Sequence, residues 1–445
     1  MTLLALLAAA PVAAVAVAAP PDGQAAAVDG AASAGTAADL ARTLDALAAA
    51  QRPAGGWAFS PVRPGGRPPA FTIVMRIAER IAYPLGLARW DLVVLRSPGT
   101  PLAGIALLGG WRLFGEARWL DAARRAGDVL VAIQLEPGGW FSEMPVEDRR
   151  LAPWFPWVSP RIHLDDDVTP GATRFLLALW LATGELRYRR AAERGLALLL
   201  DAQLASGAWP LVRRPRWLGA IRSSREDRPS LNDGATPLVI ETLVEASSAL
   251  GRPELLAAAR RGGDWLLAVQ GTAPQAGWAQ QYDDDGQPAP MRAFEPAALA
   301  TWETRHAGDA LDALARATGD DRWCPALRAA GRWLAASALR PGCWPRFAAL
   351  GTNAPLFADA GGRLVGAEAA RPGYDWTGDF GIPSLLWRLG RLEGPPPPAR
   401  APGDPGSCPD VPQSLREPGD PRLLAAEAAV LLSRLVPPPR SPCGS

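Results

Sequence analysis

The feature that most narrows what this chain can fold into is a recurring phrase: a helical stretch, a short glycine-containing turn, then a tryptophan. It reads QRPAGGW to Trp57, QLEPGGW to Trp140, QLASGAW to Trp209, QGTAPQAGW to Trp278 and RPGCW to Trp344. The last four tryptophans stand 69, 69 and 66 positions apart. Between them run paired helical patterns, such as TPGATRFLLALWLATG followed by ELRYRRAAERGLALLLDAQ. In the second of these, Ala191, Leu196 and Leu199 recur at helical spacing while Arg187, Arg190 and Arg194 occupy another face. Gly115, Gly184, Gly251 and Gly319 close the first helix of each pair and suit a left-handed cap. Strand-like alternation is nearly absent. A hairpin that is apolar on too many sides must stack on its neighbours. Five or six of them predict closure into a ring, an all-α toroid (α/α toroid) over residues 36–393, with inner helices lining a bowl.

Composition bounds the partners. The net charge of +1 argues against nucleic acid as the main partner. All 46 basic residues are arginine, so any cation the site needs is a guanidinium. The only two histidines, His163 and His306, exclude a His-rich metal site. Residues 1–20 resemble the apolar core and cleavage site of an export signal, although the basic n-region is missing. Export to the periplasm or the exterior is therefore expected, with an Ala-rich tail as the alternative. Cys324, Cys343, Cys408 and Cys443 fit no zinc spacing and allow one or two disulfides in an exported protein. No other stretch is long and apolar enough to span a bilayer. Residues 21–35 read as flexible, residues 394–445 as a proline-rich tail with one short helix near 422–435, and residues 60–100 as an unassigned interruption.

Polar segments fall just before successive inner helices: IHLDDDVTPGATRFL at 162–176, SLNDGATPLVIETL at 230–243 and GWAQQYDDDGQPAPMRAFEPAALATWET at 277–304. In a toroid these helix starts share one rim, so the three acidic segments, with Asp165, Asp166, Asp167, Asn232 and Asp233, would converge there. Such oxygen donors suit a hard cation such as calcium. The plainer alternative is that these aspartates cap helix N-termini.

Together with WPRFAALGTNAPLF at 344–357 and RPGYDWTG at 371–378, these segments resemble the family 10 pectate lyases, whose catalytic domain is an α/α toroid. The resemblance implies calcium-assisted β-elimination on polygalacturonate, an acidic polysaccharide; a monomer is expected. It implies Arg292 as the catalytic base and Asp165, Asp166 and Asp233 as metal ligands. Asn232, Tyr282, Glu295, Asn353, Arg371 and Tyr374 form the implied substrate-contacting set. Arg292 could instead make a structural pair with Glu295, three residues on. Two departures stand out: Ala354 takes the place of a family arginine, and residues 165–167 are all acidic.

Two other readings compete. Three repeats satisfy Q-x3-G-x-W, which resembles the repeated motif of triterpene cyclases, but DDD at 165–167 is not the D-x-D-D that such chemistry needs. A non-catalytic glycan-binding relative is the other. The repeat Gln and Trp residues read as ties between hairpins, with Trp209 and Trp278 also considered for stacking on a sugar.

Overall fold

A computed structural model describes residues 31–57, 92–145, 161–214, 225–372, 374–393, 408 and 420–444. The export-like segment and most of residues 60–100 lie outside these.

The helices are α1 (Ala31–Ala49), α2 (Thr100–Phe114), α3 (Ala117–Ile133), α4 (Thr169–Thr183), α5 (Leu186–Asp201), α6 (Ala235–Leu250), α7 (Pro253–Val269), α8 (Thr301–Thr318), α9 (Cys324–Ala336), α10 (Ile382–Arg388) and α11 (Pro421–Leu435). Each of α2/α3, α4/α5, α6/α7 and α8/α9 is a hairpin, and α2, α4, α6, α8 and α10 pack in succession as an inner layer. Inner helices are buried nearly all round, as in α4, where Thr169 to Leu179 are buried without a break. Outer helices are two-faced: in α5, Tyr188, Ala191, Leu196 and Leu199 are buried while Arg187, Arg190 and Arg194 are exposed. The glycines expected as caps are left-handed, from φ 64° at Gly251 and Gly319 to 74° at Gly115.

One repeat is completed from both ends of the chain. Helix α1 ends in the Gln51–Trp57 phrase, as an outer helix does, and its inner partner is α11, which also packs on α2. The helix expected near 422–435 is thus part of the α/α toroid rather than of a tail, and α1 begins inside the stretch read as flexible. Beyond α11 the chain crosses to the far side of the arc. The Ser441 amide donates to the Arg388 carbonyl at 2.9 Å, Arg316 Nη2 donates to Pro439 O at 3.0 Å, and Cys443 is bonded to Cys324. A second disulfide joins Cys343 to Cys408.

The Gln, Gly and Trp of the repeat phrase each have a structural role. Gln134 Nε2 donates to Gly138 O at 2.7 Å and to Ala191 O of the next outer helix at 2.9 Å, while its Oε1 accepts from Arg194. Gln51 does the same with Gly55, Ala122 and Arg125, and Gln203 with Gly207, Ala258 and Arg261. Each Trp indole donates to a leucine carbonyl of the outer helix it follows: Leu47, Leu130, Leu199, Leu266 and Leu334. The Trp140 amide meets Thr169 Oγ1 at 3.4 Å, and Trp209 meets Thr236 Oγ1 at 2.9 Å, fastening each turn to the next inner helix. Trp209 and Trp278 are fully buried, so neither offers a face to a sugar.

Gly138 has φ 139°, and a Cβ there would lie 2.3 Å from Arg194 O. Both the backbone conformation and the close approach require glycine. Gly138→Ala should destabilise the fold by about 1–3 kcal/mol, read as a lower urea midpoint at unchanged slope. An unchanged midpoint would remove the turn from what ties neighbouring hairpins.

Short antiparallel strands gather where the inner helices begin. They are β1 (Leu92–Val94) with β2 (Glu143–Pro145), β3 (Ile162–His163) with β4 (Val212–Arg213), and β6 (Trp344–Pro345) with β10 (Thr377–Gly378). A four-stranded sheet runs β5 (Leu299–Ala300), β7 (Phe347–Ala348), β8 (Pro355–Ala358) and β9 (Leu364–Val365). This edge carries the site.

Candidate active site

Successive polar segments are hydrogen-bonded side by side along the rim. The Ser97 amide donates to Asp166 O at 2.8 Å, Asp166 to Asp233 O at 2.8 Å, and Asn232 to Gln280 O at 2.9 Å. Helices α4 and α6 are both entered through two consecutive left-handed residues: Asp166 and Asp167 at φ 52° and 55°, Asp233 and Gly234 at 50° and 78°. Aspartate is among the few residues that tolerate this conformation. The turn swings the carboxylates off the helix axes, and no side chain caps either helix. The capping alternative therefore does not account for these residues.

What the turns bring together is a cluster in which Asp165, Asp166 and Asp233 each place a carboxylate oxygen within 4.8 Å of the others. Asp165 accepts from, or shares a proton with, His163 Nδ1 at 2.8 Å. Burial opposes a charged imidazole, but Asp165, with Asp166 and Glu226 behind it, raises His163 above its ordinary value. Burial, then Asp233 and Asp165, push the Asp166 carboxyl up to about 8, against the pull of Arg96 and Arg292. Crowded carboxylates of this kind fit a divalent cation, which relieves the repulsion that a proton relieves here. Asp167 does not join them: Arg174 grips both of its oxygens, at 2.7 and 2.6 Å.

Arg292 faces the cluster from the segment before α8. Nη2 donates to Asp233 Oδ2 at 3.1 Å and Nη1 to Glu295 Oε1 at 2.6 Å, and its amide donates to Glu295 Oε2 at 3.0 Å. The structural pair with Glu295 thus exists alongside the contact with Asp233. Burial works to lower the guanidinium, but Asp233 and then Glu295 more than offset it and favour the charged form. Glu295 is fully buried and also accepts from the Tyr374 hydroxyl at 3.0 Å. Arg371 lies 4.1 Å over the Phe294 ring, and its Nη1 is buried with no hydrogen-bond partner among the described residues.

Asn232 lies beside Asp233, wholly buried, with neither side-chain amide atom partnered among the described residues. Two expected substrate contacts are not brought to the cluster. The Tyr282 hydroxyl accepts from the Ala279 amide at 2.8 Å and donates to Val269 O at 3.2 Å, inside the wall. Asn353 Oδ1 accepts from Trp333 Nε1 at 2.8 Å, and its Nδ2 donates to Ser337 Oγ at 3.1 Å, which anchors a turn. Both have spent their polar atoms on the fold. Ala354 is exposed.

Sequence reasoning passed over Arg346, Glu303 and Arg96. Arg346 Nη2 lies 3.1 Å from Glu303 Oε1 and 3.7 Å from Asp233 Oδ1. Arg96 pairs with Glu143 at 3.3 Å, next to the Ser97–Asp166 bond. No spacing rule connects these residues to Asp233 or Asp166; only the folded rim does. Deeper in the ring, Glu241, His306 and Asp309 also come within 4.8 Å of one another. Arg305 and Arg388 already hold both oxygens of Asp309, which disfavours a further cation there.

Residues 158–341 match the family model described as pectic acid lyase, a span that holds Asp165, Asp166, Asp233, Arg292 and Glu295. No curated protein matches the chain. Among solved structures, it is similar to a mutant Family 10 polysaccharide lyase from Cellvibrio cellulosa in complex with trigalacturonic acid. That likeness has 21% identity and a TM-score of 0.49, covering 62% of this chain and 96% of that one. An unsaturated glucuronyl hydrolase specific for heparin is similar at 14% identity and TM-score 0.43, covering 66% and 65%. An α-1,6-mannanase from Salegentibacter is similar at 10% identity and TM-score 0.43, covering 67% and 70%. Over residues 158–341, on an α/α toroid, the chain is similar to the pectic acid lyases.

Proposed function

We propose that this chain is a polysaccharide lyase that cleaves pectate-like polygalacturonate by calcium-assisted β-elimination. The single observation that carries the reading is the meeting of Asp165, Asp166 and Asp233 with Arg292 inside the segment that matches the pectic acid lyase model. In this reaction the C5 proton, alpha to the uronate carboxylate, is removed. The C4–O glycosidic bond then breaks, a C4–C5 double bond forms, and the departing oxygen takes up a proton. Bound calcium supplies positive charge that neutralises the substrate carboxylate and acidifies the C5 proton.

The chain's own groups divide the remaining work. Asp165, Asp166 and Asp233 are the ligands we assign to the cation. Arg292 meets the reacting uronate, oriented by Glu295, which Tyr374 holds in turn. Because Asp233 and Glu295 favour the charged guanidinium, Arg292 stabilises negative charge as long as Asp233 carries its own. A base role at C5 would require the pull of both Asp233 and Glu295 on the guanidinium to be offset, and ligation of Asp233 to a cation would remove only the first. Arg371, with no carboxylate on its guanidinium among the described residues, is assigned to a neighbouring substrate carboxylate. The two disulfides support an exported enzyme.

The test is direct. Purified protein incubated with polygalacturonate and calcium at alkaline pH should produce the ultraviolet absorbance of an unsaturated uronate, and excess chelator should stop it. Binding of the polymer without any such product would favour the non-catalytic reading. The triterpene-cyclase alternative has no support in the family match, and the Gln and Trp residues of its repeat tie the hairpins together.

A further inference from the structure

The Asp233 carboxylate is held from two sides, and only one of them faces the bowl. Oδ2 accepts from Arg292, whose side chain keeps about a third of its surface exposed (34%). Oδ1 is 3.7 Å from Nη2 of Arg346, whose side chain is 4% exposed. Arg346 is a fixed point. Its amide donates to Trp376 O at 2.7 Å and its carbonyl accepts from the first amide of α8, Thr301, at 3.0 Å. Its guanidinium lies 4.1 Å over the Trp302 ring and 5.1 Å from that of Tyr374.

Burying a guanidinium is costly unless it is paired. This one aims Nη2 between two carboxylates from different elements: Glu303, in the first turn of α8, and Asp233. Glu303 accepts from Nη2 with Oε1 only; its Oε2 is buried without a partner, and burial pushes its carboxyl up to about 7. Asp233, meanwhile, has its backbone in the left-handed region, no helix cap to make, and two carboxylates within 4.8 Å. Nothing in its own segment opposes their repulsion.

We infer that Arg346 is a positioning residue for Asp233: it pins Oδ1 from beneath so that Oδ2 stays at the mouth, shared between Arg292 and a bound cation. The inference rests on the assignment of Asp233 as a cation ligand. It goes beyond that assignment by naming what keeps the ligand in place against its neighbours' charge, a role of the kind that supporting residues play around metal ligands.

The sign of the effect separates positioning from bare charge. Removing a positive charge 3.7 Å from a cation ligand should, by electrostatics alone, tighten cation binding. A positioning role predicts the opposite. Terbium(III), followed by tryptophan-sensitised luminescence, is titrated into the full chain and into Arg346→Gln and Arg346→Lys, with each variant's fold checked by near-ultraviolet circular dichroism. Both variants should bind terbium about tenfold more weakly or worse, and Arg346→Lys should lower kcat on polygalacturonate with little change in KM. If Arg346→Gln does not fold, Arg346→Lys, which keeps the buried charge, decides. Terbium binding as tight as or tighter than that of the unmodified chain in a folded variant overturns the inference. If the unmodified chain forms no unsaturated product, the lyase reading fails, while the terbium comparison still judges Arg346.

Discussion

Arg292→Gln should lower the rate of unsaturated-product formation by roughly a thousandfold while leaving the chain folded. The fold is expected to survive because each group that Arg292 touches keeps another partner. Glu295 still accepts from Tyr374, and Asp233 still faces Arg346. The side chain is 34% exposed and lies on the rim, outside the core. The rate should collapse because no other guanidinium among the described residues contacts Asp233 from the open side. Charge that develops beside the C5 carbon would then meet an amide in place of a fixed cation. Arg292→Lys should recover little, since the fork that reaches Asp233 and Glu295 together becomes a single point charge. Initial rates on polygalacturonate with saturating calcium check this. An Arg292→Gln enzyme within tenfold of the parent would remove Arg292 from the mechanism.

The second large effect is on stability. In excess chelator, the chain should lose on the order of several kcal/mol as pH rises from about 6.5 to about 9. Four carboxyls, Glu303 buried and the others half-buried, lie well above their ordinary values: Asp166 and Glu241 at about 8, Glu245 and Glu303 at about 7. In each the first cause is burial. For Asp166 the Asp233 charge adds to it, and for Glu241 the Asp309 charge does. A carboxyl raised in the folded state contributes stability that is complete below its unfolded value and disappears as pH climbs through the folded one. Here that places the loss near pH 7–8. His163, raised by Asp165, acts in the same direction. His306, kept neutral by burial and by Arg305, acts oppositely, but only near and below about 6.5. Calcium should restore the share that belongs to Asp166, so the rise in Tm on adding it should be larger at pH 9 than at pH 6. A melting temperature in chelator that holds steady or increases across this range would contradict the assigned burial.

The repeat could be read from one chain because each of its residues acts locally or on the adjacent unit. A glutamine four positions before a left-handed glycine can reach that glycine's carbonyl wherever the turn occurs, and the indole reaches back ten residues in four of the five cases. Gly115 and Gly184 were legible as caps for the same reason. The acidic cluster was partly legible. Asp165, Asp166 and Asp233 sit at matching points of consecutive repeats, so a ring brings them to one rim. Arg346 and Arg96 were not, because their distance in sequence from Asp233 and Asp166 follows no period. Tyr282 and Asn353 are not brought to the cluster for the converse reason: they occupy motif positions, but their polar atoms bond to Val269, Ala279, Trp333 and Ser337. Motif position says nothing about which way a side chain is spent.

From the order of residues alone came a ring of helical hairpins, the glycines and tryptophans that join its members, and a rim where acidic segments meet. These follow from period, apolar spacing and turn chemistry, which act over a few residues or one repeat. Tertiary structure alone decided that the N-terminal helix pairs with one from the other end of the chain. It also decided that Asp167 belongs to Arg174 and not to the cluster, and that Asp233 lies between an open guanidinium and a buried one. Those outcomes depend on directions and distances between segments far apart in sequence, set only when the ring closes and each carboxylate finds its nearest cation.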